Sequence, residues 1–380
     1  DGQDGDQRGI YARLYDDDAT ALSSEFRINV TTAGDQQAPA VSSTDNGHFA
    51  VAWVGPDGNG LGVFARSYEP DGTAASGEVA VNTTTSGDQM AAAVAISEDG
   101  DFLVVWQGPG LEGLEVFGRL FTETGSPLTP EFQINTSDLG DQEDPSVATS
   151  DERDEFLVAW TGFDADGRGI FAQRLSSAGA LLGAEIPVNT TTLQDQIHPA
   201  VAASGLDLDP DDDNLFVVVW QGFDADGSGI FFQRFEDDGT PRGSEERANL
   251  DEPGNQENPA VSADDGAGNE IHFVVTWQEF TADLFASRGV PILVRGRRIR
   301  GSIPSTTTAA TRINATGTLA TEPEVASRSD GWFTSVWQSS DASGAGIFAR
   351  QFLIPLFADS FESGNTSAWS VAVPAVKPQL

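Results

Sequence analysis

Short apolar runs recur along this chain, and each closes on a tryptophan. They read FAVAW ending at Trp53, FLVVW at Trp106, FLVAW at Trp160, FVVVW at Trp220, FVVTW at Trp277 and FTSVW at Trp337. Successive tryptophans stand 53, 54, 60, 57 and 60 residues apart. A run of β-branched and aromatic residues with no polar alternation predicts a strand covered on both faces. Ahead of each run lies a Pro-Ala-Val type strand, such as PAVSS from Pro39 or PAVAAS from Pro199. Behind it come a Gly/Asp-rich turn and a strand of the GIFAQRF type. A fourth strand, such as EFQINT around Asn135, then leads through Gly-Asp-Gln into the next unit. Helical periodicity is absent throughout.

Four short strands per unit, separated by turn residues, predict an all-β protein. A lone four-stranded sheet cannot cover FVVVW on both sides, whereas stacked sheets can. Units of about 50 residues with four strands each predict the blades of one β-propeller. A linear array of sandwiches fits poorly, because each would need about 100 residues. The GIFAQRF strand occurs seven times, at Arg13, Arg66, Arg119, Arg174, Arg234, Arg297 and Arg350, against six tryptophan strands. The pattern therefore predicts seven blades of four antiparallel strands, with six as the other count. Residues 1–355 form the propeller, with an incomplete first blade over 1–24. Residues 356–380 are a tail whose TSAWSVAV stretch, around Trp369, is expected to complete a composite closing blade or to serve as a sorting segment. A strand donated by a neighbouring molecule would complete that blade equally well.

Charge narrows the partners. Fifty-nine acidic residues face 20 basic ones, a net charge of −39. Such a surface repels nucleic acid and anionic membranes and attracts divalent cations. No apolar run approaches the roughly 18 residues of a membrane span, so membrane insertion is not expected. There is no cysteine, which removes disulfides and thiolate metal sites, and Met90 is the single methionine. With Asp1 at its start, the chain is expected to be the mature form of an extracellular, secreted or surface-associated protein.

The turns carry the candidate chemistry. Paired acids precede the third strand in register: Asp4 and Asp6, Asp164 and Asp166, Asp224 and Asp226, with thinner copies at Asp57 (before Asn59) and Asp341 (before Ser343). Asp-Gly sequences build hairpin turns without any ligand. Calcium needs 6–8 oxygens, of which one hairpin offers two carboxylates and some carbonyls. Aspartate recurs at the first position where asparagine or serine would shape the turn as well, so calcium is expected at these eight aspartates. The Gly-Asp-Gln segments (Asp35–Gln36, Asp88–Gln89, Asp141–Gln142, Asp195–Gln196) recur with the fold and are expected to bond the backbone of the adjacent blade. The strand arginines are expected to pair with carboxylates. Sequons at Asn29, Asn82, Asn135, Asn189, Asn314 and Asn365 offer glycan acceptors.

Catalytic signatures are missing. The three histidines, His48, His198 and His272, sit at unrelated positions of the repeat and suggest no metal triad. Carboxylates are so numerous that no glycosidase pair stands out. No Walker loop, nucleophile elbow or zinc helix occurs.

With their FVVVWQ, DGSGIFAQRF and INTTTxGDQ motifs, the units resemble repeats of large secreted bacterial surface proteins, including calcium-dependent adhesins, over residues 1–355. The stretch FADSFESGNTSAWS, 357–370, resembles a C-terminal segment of exported bacterial proteins. With no catalytic signature, a non-enzymatic structural or adhesive protein is expected, and the incomplete first blade, whose open edge could take a neighbour's strand, predicts self-assembly into a filament or surface layer, with itself or a cell-surface or matrix polysaccharide as partner. The alternative is a monomeric propeller that binds or acts on glycans.

Overall fold

The computed structural model describes residues 5–353 apart from 17–18, 138, 151–154, 165, 205–214, 225–226, 251–253, 265–271, 281–291, 301–309, 315–319, 328–331 and 342–343. Its elements are strands only. β1 (Tyr11–Ala12) and β2 (Phe26–Arg27) pair as a two-stranded sheet. The first blade follows as β3 (Gln37–Ser43), β4 (Phe49–Pro56), β5 (Leu61–Tyr68) and β6 (Val79–Ala80). The second is β7 (Met90–Ile96), β8 (Phe102–Pro109), β9 (Leu114–Phe121) and β10 (Phe132–Gln133). The third comprises β11 (Glu143–Ser150), β12 (Glu155–Phe163), β13 (Arg168–Ser176) and β14 (Leu181–Pro187). The fourth comprises β15 (Ile197–Ala203), β16 (Leu215–Phe223), β17 (Ser228–Glu236) and β18 (Pro241–Arg247). In the fifth are β19 (Asn255–Asp264), β20 (His272–Phe280), β21 (Ile292–Arg300) and β22 (Thr311–Arg312). Three described strands make the sixth: β23 (Thr321–Ser327), β24 (Trp332–Asp341) and β25 (Gly344–Leu353).

Each blade is an antiparallel meander in chain order. The first strands of neighbouring blades lie side by side, β3 against β7, β7 against β11, and onward to β23. This is a single β-propeller, and six blades are seen. β1 and β2 hold the third- and fourth-strand places of a further unit and pack Ile10 and Ile28 against Phe49, Val51 and Trp53 of the first blade.

Burial explains the tryptophan strand. From Phe102 to Gln107 every residue of β8 is buried. Alternate side chains enter two different interfaces, with Phe102, Val104 and Trp106 facing the first blade and Leu103 and Val105 facing the third. Trp53, Trp106, Trp160, Trp220 and Trp277 are at most 1% exposed, and Trp337 is 7% exposed. They occupy equivalent places and pack blade on blade, as the spacing predicts.

The sixth blade shows what that cover is worth. Ile347 is 77% exposed, whereas Val63, Val116, Ile170, Ile230 and Val294, at the same register, are fully buried. Val41, on the facing side of the first blade, is 68% exposed. Among the described residues nothing covers Ile347 or Val41, although β1 and β2 pack over Phe49, Val51 and Trp53 on the Val41 face of the first blade. The tail expected to do so, 356–380, lies outside the described residues.

Candidate functional site

One irregularity repeats in every first strand. The register slips by a β-bulge between Gln37 and Ala40, Met90 and Ala93, Glu143 and Ser146, Ile197 and Ala200, Glu257 and Ala260, and Thr321 and Glu324. At each bulge one non-glycine residue turns left-handed: Ala38 (φ 49°), Ala91 (50°), Asp144 (53°), His198 (54°), Asn258 (51°) and Glu322 (52°). Proline follows in five of the six, and its ring drives the preceding residue away from the right-handed helical region. A strained position with a side chain costs roughly 1–3 kcal/mol and tends to cluster at functional sites. Bulges also re-aim side chains.

Neighbouring blades hold the bulges in place. The Asp144 backbone N–H donates to Gln107 Oε1 of the second blade at 2.8 Å. That of Asn258 donates to Gln221 Oε1 of the fourth blade at 3.4 Å. Both glutamines directly follow a buried tryptophan, so the core strand of one blade positions the bulge of the next.

The bulges of four successive blades line a shared cavity of about 270 Å3, walled by Ala91, Ala92, Asp144, Pro145, His198, Pro199, Asn258 and Pro259. Its walls are methyl and proline surfaces, and its polar groups are a carboxylate, an imidazole and an amide. His198 Nδ1 lies 3.1 Å from Asp144 Oδ2. The hydrogen bond to Asp144 pushes the His198 pKa upward, with the Glu257 charge adding to it and burial opposing it. Beside them, Arg168 pairs with Glu143 at 2.7 Å, and burial pushes both the Glu143 and Glu257 carboxyls up. In the sixth blade Glu324 takes a place held by Ala40, Ala93, Ser146, Ala200 and Ala260 elsewhere. Its side chain reaches solvent, but the surrounding protein strips enough water to push its pKa to about 7, with Glu322 adding like charge.

The turn aspartates lie apart from this cavity lining. Asp164 Oδ1 accepts from the N–H groups of Asp166 (2.8 Å) and Gly167 (3.0 Å), and Asp57 Oδ1 accepts from Asn59 N–H at 2.8 Å. Asp224 is paired with Arg247, and Asp6 Oδ2 accepts from Gly34 N–H at 2.8 Å. Asp57 and Asp164 thus build their own turns, whereas Asp6 and Asp224 tie their turns to Gly34 and Arg247. The second oxygens of Asp57 and Asp164 are closed to solvent without a hydrogen-bond partner among the described residues. Asp4, Asp226 and the Asp341 side chain lie outside the described residues.

The other repeating polar groups are structural. Asp88, Asp141 and Asp195 accept from the first backbone N–H of the third strand, at Leu61 (3.0 Å), Leu114 (2.8 Å) and Arg168 (3.0 Å). Each thereby grips the blade that it leaves, not the one that follows. The sequon asparagines are buried: Asn29, Asn82, Asn135, Asn189 and Asn314 each accept a strand N–H through Oδ1, as Asn82 does from Val63 at 2.7 Å. Their amides lie inside the folded propeller, away from any glycan. Four of the strand arginines bond backbone carbonyls of the preceding unit, at Ile28, Val81, Ala248 and Ile313. Among the described residues Arg174, with Glu155, and Arg234, with Glu246, take the carboxylate partners expected of them.

The bulge residues escaped sequence reading because their sidechains differ from blade to blade. Their signal was the residue before each Pro-Ala-Val type segment, which, like the residue ahead of it, changes from unit to unit.

No protein-family model matches the sequence, and no curated protein matches it. Solved structures do match. A protein of unknown function from Dyadobacter fermentans is 14% identical, with 82% of this chain and 93% of that one covered and a TM-score of 0.51. The α-L-arabinanase of Penicillium chrysogenum, complexed with arabinobiose, is 10% identical, with 83% and 93% covered and a TM-score of 0.51. A lectin of Aleuria aurantia, complexed with Fucα1-6GlcNAc, is 13% identical, with 87% and 97% covered and a TM-score of 0.47. At such identities the likeness establishes the propeller fold. It also overturns the expectation that this chain is no enzyme. That expectation rested on missing motifs, and an arabinanase has the same fold.

Proposed function

We propose that this protein is a glycan-handling propeller that acts outside the cell and binds a saccharide chain at the cavity lined by the bulges of its second to fifth blades. One observation carries the reading: left-handed bulges at one register of all six blades, with Asp144, His198, Asn258 and Glu322 on four consecutive blades. The repeat conserves its backbone there and varies its chemistry, which is how a shared scaffold acquires a site. Polar groups that converge over apolar walls suit a sugar, which offers hydroxyls at its edges and C–H groups on its faces.

Hydrolysis is a second reading, favoured by Glu324. Glu324 and Glu322 stand two residues apart on β23, and partial loss of water with the like charge of Glu322 holds the Glu324 proton to higher pH, as a general acid requires. The self-assembling adhesive reading has no comparable support.

Titration calorimetry against neutral and charged oligosaccharides, with reducing-end release followed in parallel, tests the proposal. Binding that is lost in His198→Ala and Asp144→Asn is the expected result. No binding to any saccharide, or binding indifferent to both substitutions, overturns it. Turnover abolished by Glu324→Gln would establish the second reading.

A further inference from the structure

Half of one further blade place stands open. β1 and β2 fill its third- and fourth-strand positions, and its first and second positions hold no described strand. The stretch GIYARLY around β1 has the pattern of the other third strands, which run eight to ten residues, yet only Tyr11 and Ala12 are paired. Among the described residues β1 meets no strand but β2. The two walls that such a blade would cover are apolar and open. On the sixth blade Ile347 is 77% exposed and Ala349 is exposed, whereas Ala65 and Ala172, in register with Ala349, are buried. Val336 is half-buried where Ala52, Val105, Ala159 and Val219 are fully buried. On the first blade Val41 is 68% exposed, against 6% for Val94 and 7% for Val201. A free strand edge beside two apolar walls calls for another strand, since backbone groups need partners and both faces need cover.

We propose that residues 366–373 of this same chain, TSAWSVAV, dock in the gap as the second strand of that blade and pair with the free edge of β1. A strand held between two blades must be apolar on both faces, and this stretch carries no charge in a chain of net charge −39. Of the eight tryptophans, Trp369 alone lies outside the described residues, and a buried tryptophan marks the second strand of each of the six blades. Pro374, with no N–H to donate, ends the pairing stretch. The tether is long enough. Twelve residues separate Leu353, the end of β25, from Thr366. Extended, such a tether spans about 40 Å, whereas crossing a four-stranded sheet takes about 15 Å and stepping to the next sheet about 10 Å. A short tether also sets a local concentration near the millimolar range, so the chain's own segment outcompetes that of a second copy at micromolar concentration.

The chain has no cysteine, so a single introduced thiol reports on its own surroundings. Ile347→Cys and Val41→Cys would be labelled with a thiol reagent in the full chain and in one shortened to residues 1–361. With the segment docked, both thiols should react about tenfold or more slowly in the full chain than in the shortened one. Trp369→Asp should restore fast labelling without any shortening, and a synthetic peptide of residues 366–373 should slow the shortened chain again. Leu111→Cys, at a turn of the second blade where Leu111 is 98% exposed, should react equally fast in every form, which verifies that the variants keep their fold. Equal labelling of Ile347→Cys and Val41→Cys in the full and shortened chains overturns the proposal. So does protection that survives Trp369→Asp. Protection that appears only as protein concentration rises, together with dimers or longer assemblies in light scattering, gives the gap to a second copy and overturns it as well.

Discussion

Trp160 Nε1 donates a hydrogen bond to Gln142 Oε1 across 2.8 Å, inside the third blade. Trp53 makes the same bond to Gln36 at 3.0 Å. In each case the glutamine comes from the linker entering the blade and the indole from its core strand, so one buried bond locks the linker onto the sheet. Gln142→Leu leaves the indole N–H buried without an acceptor, at a cost of about 1–3 kcal/mol in urea unfolding. Adding Trp160→Phe removes the orphaned donor, so the double variant should lose less than the two single losses combined. Additive losses would show that the bond contributes nothing.

Arg119 joins two blades. Its guanidinium donates to the Val81 carbonyl of the preceding blade at 2.9 Å and lies 5.3 Å from the centre of the Phe121 ring. Arg119→Ala should destabilise by about 2–3 kcal/mol, as a buried carbonyl loses a charged donor. Arg119→Lys should recover only part of that, because an ammonium cannot reproduce the planar contact. Full recovery in the lysine variant would reduce the interaction to charge alone.

The turn at Asp164 separates shape from ion binding. Asparagine can still accept from Asp166 and Gly167 N–H, so Asp164→Asn should be nearly neutral in a chelator, whereas Asp164→Ala should cost about 1 kcal/mol. Calcium held as the sequence expects would raise the melting temperature with concentration, and Asp164→Asn would blunt that rise. A melting temperature indifferent to calcium and chelator would leave these aspartates as turn builders only.

His198 should titrate above the ordinary histidine range, since Asp144 stabilises its charged form, with Glu257 adding and Arg168 opposing. Because the folded pKa is raised, the stabilisation is complete below about pH 6.5 and disappears as pH climbs through the shifted value. NMR titration should show Asp144→Asn returning His198 toward its ordinary range. An unmoved midpoint would break the assignment.

Glu324 has the opposite sign. An acid whose folded pKa rises from 4.5 to about 7 destabilises the fold increasingly as pH climbs between those values. Glu324→Gln should therefore be more stable than the parent at pH 8 and indistinguishable from it near pH 4. A stability difference that does not change with pH would exclude this origin.

The sequence alone determined the propeller. Phe102 to Trp106 are apolar at every position, which only a sheet stacked on both sides can satisfy, and the spacing of the six tryptophans set one such sheet per unit. It also marked Asp88, Asp141 and Asp195 as backbone partners, because a residue that recurs with the fold serves the fold. The tertiary structure decided the rest. Whether an Asn-x-Thr asparagine is exposed depends on the strand it caps, and Asn82 proved buried beneath Val63 N–H. Arg66 and Arg119 bond carbonyls rather than carboxylates, because the nearest acceptor is set by the adjoining blade. Above all, Asp144, His198 and Asn258, which line one cavity, stand 54 and 60 residues apart along the chain. Their convergence comes from the arrangement of blades around one centre and from a bulge in each first strand, and neither is a property of any local stretch of sequence.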